Sequence, residues 1–133
     1  MINKPVLTLE LAKRIASAAA TEAQANGWRV TIAVVDDGGH LLYLQRGHDT
    51  QFGSVEIAIQ KARSATAFQR PSKVSEDAVT NGRLIHLALP GVIPSEGGVP
   101  LLHEQQIIGG LGVSGVKSFQ DGQIAQAGAA VLE

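Results

Sequence analysis

The chain has 133 residues, 44% of them hydrophobic and 17% charged, with a net charge of −1 and a pI near 6.4. That length suits one domain, the balance is that of a globular chain, and the near-neutral charge excludes a protein built to neutralise a nucleic-acid backbone. The absence of cysteine excludes disulfides, thiolate metal sites and thiol nucleophiles.

In chain order, residues 1–14 hold no apolar core of signal-peptide length, because Glu10 and Lys13 interrupt it. No apolar run reaches the ~20 residues of a membrane span. The expectation is a soluble, cytoplasmic protein with no membrane partner. Thr8 is placed to cap a helix over residues 8–26, with Ala12, Ala16, Ala19 and Ala23 on one face and Asn26-Gly27 ending it. The β-branched run 29–35 predicts a buried strand. Asp36-Asp37-Gly38-Gly39 is a hairpin turn, and 40–46 its partner strand. A polar loop, 47–53, leads to a second helix from Ser54 to about Phe68, broken by Arg70-Pro71.

A third, poorer helix starts near Ser75, is weakened by Gly82 and is stopped by Pro90. Residues 90–100 hold three prolines and read as a structured loop. A second hairpin follows, 99–102 with 106–113, turning at His103-Glu104-Gln105. The last helix starts near Asp121 and carries Ile124, Ala127, Gly128 and Val131 on one side. The order α-β-β-α-α-β-β-α makes an α+β domain, with an antiparallel sheet between helices. Aromatic residues are only 4%. Alanine and glycine must then pack thin layers that bury little area, which points to gain from oligomerisation.

Several segments look like chemistry. Gly110-Leu111-Gly112-Val113-Ser114-Gly115 matches G-x-G-x-x-G, but the 18 residues after it hold one helix and no second parallel strand, so a dinucleotide site does not follow. The glycines then allow close approach of another backbone or of a ligand. No histidine follows Ser114, which removes the usual order of a serine hydrolase triad. His40, His48, His86 and His103 show no metal-ligand spacing and read as single imidazoles, either solvated or each serving one ligand. Arg46 and Lys61 either converge on an anion such as a carboxylate or a haem propionate, or stay separate surface cations, or Arg46 bridges Asp36 across the hairpin. Glu96, Gly97, Gly98, Val99 and Pro100 form a rigid loop, read either as a ligand wall with exposed N–H groups or as a connecting turn.

Taken in order, these residues resemble the GlcG/HbpS family of bacterial proteins, also similar to the C-terminal domain of PduO-type proteins. The matching stretches are Val34-Val35-Asp36-Asp37-Gly38-Gly39-His40, Arg46, Lys61-Ala62 through Ala67, Phe68-Gln69-Arg70-Pro71, Glu96 to Pro100, Ile107 to Gly115, and Asp121 with Ile124. The resemblance covers nearly the whole chain. It implies a profilin-like antiparallel sheet of about five strands with helices on both faces, the fifth strand within 91–95. It implies homo-oligomers, from dimers to octamers. It also implies haem as a possible cofactor, in sensing or degradation; the residues of this chain read as candidates for holding it are His48 or His103 as the imidazole and Arg46 and Lys61 for propionates. The alternative is an organic acid or aldehyde site, with enzymatic action left open, that uses Arg46, Lys61 and the 96–100 loop at a subunit interface. A purely structural role in assembly is the third reading.

Overall fold

Thr8 starts the first helix as its position predicts. Its hydroxyl accepts the Leu11 N–H at 3.2 Å, opening α1 (Leu9–Ala25), and Gly27 at φ +70° turns the chain away at the other end. The computed structural model describes residues 1–133. After α1 come β1 (Thr31–Asp36), β2 (Leu41–Arg46), α2 (Gly53–Phe68), α3 (Lys73–Thr80) and a 3₁₀ turn (Leu84–Leu87). Then follow β3 (Gly98–His103), β4 (Gln106–Ser114), α4 (Ser118–Ala129) and a closing 3₁₀ turn (Ala130–Leu132).

The four strands form one antiparallel sheet in the order β2-β1-β4-β3. The two hairpins therefore lie side by side through β1 and β4, with Thr31 opposite Ser114 and Asp36 opposite Gly109. At the first turn the Asp36 carboxylate accepts the N–H groups of Gly38 and His40, each at 2.9 Å. This is the side-chain mimicry of a turn that aspartate supplies. Although burial opposes it, these bonds and the His40 ring hold the Asp36 carboxyl below its ordinary range.

Alternation along the strands separates two unlike layers. Ile32 and Val34 of β1 and Leu111 and Val113 of β4 join Ile15, Ala16 and Ala19 of α1 and Ile124 and Ala125 of α4 in the main apolar core. On the opposite face, Ala33, Val35, Gly110 and Gly112 meet Ala58 and Ala62 of α2, all buried. That second layer has almost no thickness. A β-carbon on Gly112 would run into the Ala58 carbonyl, and one on Gly110 into the Ala62 carbonyl. The G-x-G-x-x-G segment is thus a flat track for a helix backbone, the close-approach alternative of the sequence reading.

Three expectations need correction. Residues 91–95 form no fifth strand. Pro90 and Pro94 lack donors for a ladder, and Val92 and Ser95 spend their N–H groups on the nearby Leu89 and Ile93 carbonyls. The third helix stops at Thr80 rather than near Pro90. Gly82, at φ +90°, breaks it and only the 3₁₀ turn follows. The last helix begins three residues earlier than expected, at Ser118, where the Gln120 side chain accepts the Lys117 N–H at 3.2 Å.

Candidate functional site

Two regions gather the polar groups singled out in the sequence, and they lie on different faces. The first is buried. Lys61, on the sheet-facing side of α2, passes the start of β3 and reaches α4. Its Nζ donates to Asp121 Oδ2 at 3.0 Å and to the Val113 carbonyl at 3.0 Å. The two side chains are only 2% and 3% exposed. Burial pushes the Asp121 carboxyl above its ordinary range, and the Lys61 charge beside it pulls it partly back.

The 96–100 segment closes over this pair. Gly97, at φ +134°, leaves no room for a side chain: a β-carbon would sit 2.9 Å from Lys61 Nζ and 2.5 Å from the Val113 carbonyl. Gly98 exchanges bonds with Ser72, whose hydroxyl accepts the Gly98 N–H at 2.9 Å while the Ser72 N–H donates to the Gly98 carbonyl at 2.9 Å. The Glu96 N–H goes to the Glu76 carboxylate at 3.2 Å, and the Glu96 carboxyl lies against Gly122. Partial burial raises the Glu96 carboxyl above its ordinary range. Lys73 opposes that shift, and Glu76 and Asp77 add to it. Two of the loop's N–H groups are thus satisfied inside the chain. The segment, completed by Val99 and Pro100 entering β3, braces one layer against the other.

Arg46 is not part of this centre. It is exposed at the end of edge strand β2, opposite Thr31 and at the far end of the hairpin from Asp36, whereas Lys61 turns toward β3 and α4. The expected convergence of Arg46 and Lys61 on one anion, or of Arg46 on Asp36, is not what the fold builds. The reason is that Lys61 lies on the buried face of α2, and Asp121, 60 residues away in sequence, neutralises it.

The second region is a groove of about 210 Å³ between the end of α1 and the first hairpin. Ala20, Ala23, Trp28, Val30 and Ile32 give it an apolar wall, and Gln24, Arg29, Gln45 and His48 surround it. His48 projects into solvent, 96% exposed, with Asp49 at 3.5 Å. Thr50, also lining the groove, is 6% exposed, and its hydroxyl has no hydrogen-bond partner. An unpaired buried hydroxyl costs about 1–3 kcal/mol. Arg46 lines a shallower hollow that shares Gly47, His48 and Thr50 with the groove.

The other histidines lie elsewhere. His40 bonds Asp36 at 3.2 Å, His86 bonds the Ser75 hydroxyl at 3.1 Å, and His103 sits exposed at the β3–β4 turn beside Glu104. Sequence reasoning found His48 but missed Trp28 and Thr50. The lone tryptophan next to a helix-ending glycine was a readable signal. The orphaned hydroxyl of Thr50 was not, since it depends on what the folded loop leaves unpaired. Nor did it give Asp121 as the partner of Lys61.

Comparison with known proteins covers the same span. The family model described as haem degrading protein HbpS-like matches residues 7–130. Protein GlcG of Escherichia coli is 46% identical over 114 residues, 86% of this chain and 85% of that protein. The crystal structure of a Streptomyces reticuli HbpS double mutant is 32% identical with a TM-score of 0.89, covering 100% of this chain and 91% of that one. The structure of a PduOC haem complex is 30% identical with a TM-score of 0.85, covering 97% of this chain and 96% of that one. From Leu7 at the edge of the core to the end of α4, the chain belongs to the HbpS-like family.

Proposed function

We propose that this protein binds haem in the groove between α1 and the first hairpin. The observation that carries the reading is the setting of His48: among the four histidines it alone stands beside an apolar wall, with the buried, unpaired Thr50 hydroxyl next to it. The residues present fit the group. His48 would hold the iron, which needs only one protein ligand. Trp28, Val30 and Ile32 would face the macrocycle, and Arg29 and Arg46 stand where propionates would meet guanidinium groups. Bound there, haem supplies redox chemistry and absorption. The protein's part is to hold it and shield one side.

The groove's volume, about 210 Å³, is below the roughly 300–1,000 Å³ of sites that enclose a drug-sized ligand. It therefore receives an edge or one face of a porphyrin. The same reading includes assembly into homo-oligomers. Leu84, Ile85 and Leu87 leave about 60% of their surface exposed on one 3₁₀ turn, the kind of contiguous apolar surface a second copy covers. His103, at the opposite hairpin, would then take no part in this site. A haem titration of the purified protein, followed by absorbance, tests the proposal. A Soret shift that saturates at a fixed stoichiometry is expected; a weak, unsaturable change refutes it.

A further inference from the structure

A second cleft lies on the other face of the molecule, at the other end of β1. It has a volume of about 380 Å³ and is lined by Asp37, Gly38 and Gly39 of the first turn, Gln60, Arg63, Thr66 and Ala67 of α2, and Gly91. Only one lining side chain is apolar. The groove proposed for haem begins at the Val30–Ile32 end of β1, and a six-residue strand separates the two by roughly 20 Å. Neither the buried Lys61–Asp121 pair nor the haem groove shares a residue with this cleft.

Its charge is simple. Asp37 is paired with Lys4 at 3.2 Å, and the Asp36 carboxylate is held by the turn's own N–H groups. Arg63 makes no ion pair within the chain. Its guanidinium is the one uncompensated charge in the cleft, with five donors in a planar fork. Gly39, at φ +82°, lies beside it: a β-carbon there would be 3.6 Å from Arg63 Nε and 3.8 Å from Cγ. The Asp-Gly-Gly turn, which the haem reading leaves unused, thus forms the wall that faces the guanidinium.

We propose that this cleft binds a small hydroxycarboxylate. Arg63 takes the carboxylate through its fork, and the Asp37 carboxylate and Gln60 amide accept hydrogen bonds from the ligand's hydroxyl groups. One free cation balances one negative charge. A dianion such as phosphate would place its second charge beside Asp37, so a monocarboxylate is favoured. The polar side chains of Asp37, Gln60, Arg63 and Thr66 line it, which favours a ligand with polar atoms along its length over a fatty acid.

The test is a ¹⁵N-NMR titration of the intact protein with glycerate, with glycerol, propionate and inorganic phosphate as parallel ligands. Glycerate is expected to give saturable shifts of the Gly38, Gly39 and Gly91 amides, with weaker binding of all three others. Arg63→Gln and Arg63→Lys should each weaken glycerate about tenfold or more, lysine because it lacks the fork. Arg63 is at the surface, and haem titration of both variants should match the parent, which separates this site from the haem reading. The proposal is overturned by the absence of saturable shifts at millimolar glycerate, by binding that survives Arg63→Gln, or by glycerol, propionate or phosphate binding as tightly as glycerate.

Discussion

Replacing Lys61 by methionine isolates the contribution of the buried pair. The substitution keeps the length of the stem but removes the ammonium, which leaves Asp121, 3% exposed, with only the backbone N–H groups of Gly115 and Val116, the latter at 3.2 Å. Breaking a buried ion pair from one side costs about 3–5 kcal/mol. A domain of this size has roughly 5–15 kcal/mol in total, so the melting temperature should fall by roughly 10–20 °C. Asp121 already binds its proton more tightly than an ordinary carboxyl, and loss of Lys61 pushes it further that way. The folded variant then gains protons as pH falls, so its deficit should shrink on acidification. Lys61→Met with Asp121→Leu removes both charges and should return to within about 1–2 kcal/mol of the parent. Thermal and urea unfolding followed by circular dichroism measure Lys61→Met, Asp121→Leu and the double variant against the parent. A single variant melting within about 3 °C of the parent, or a double variant losing the sum of the two single losses, would refute the reasoning.

The flat α2 layer makes Gly112→Ala severe. The added methyl meets the Ala58 carbonyl, a backbone atom that cannot step aside, so about 3 kcal/mol or more is lost, read as a lower urea midpoint. Thr8→Ala removes the cap of α1 and should cost about 1 kcal/mol in the same assay, with no effect on haem titration. Glu96 carries a raised carboxyl pKa. Its folded state therefore takes up a proton before its unfolded state does, so its charged form lowers stability at neutral pH, and that penalty is relieved as pH falls through the raised pKa to 4.5. Glu96→Gln should accordingly melt higher than the parent at pH 7, and the gap should close by about pH 4. A gap that widens on acidification would contradict the sign.

The fold was legible where local chemistry decides it. The Thr8 cap, the Asp-Gly turn at residues 36–39 and the alanine face of α1 each specify their element without help from elsewhere in the chain. The β3–β4 turn was also placed correctly, although it puts Glu104 and Gln105 at positive φ without glycine. The failures came where a distant partner decides. Lys61 reads as a helix-border cation until Asp121 is brought to it across the sheet. The glycines of residues 110–115 read as room for either a backbone or a ligand, and only α2 laid on them decides between the two. The strand that the resemblance implied within 91–95 is absent because the flanking prolines leave a ladder short of donors, as the loop reading of those residues has it. At the groove, His48 was visible as one of two candidate imidazoles with His103, and only the packing of Trp28 and the loop beneath it set it apart.

The haem groove is tested most directly by absorbance titration of four single variants, His40→Ala, His48→Ala, His86→Ala and His103→Ala, beside the parent protein. The account predicts that His48→Ala alone loses or shifts the Soret band at saturation, with the other three superimposing on the parent. Four spectra indistinguishable from the parent, or a change confined to His40, His86 or His103, would contradict it.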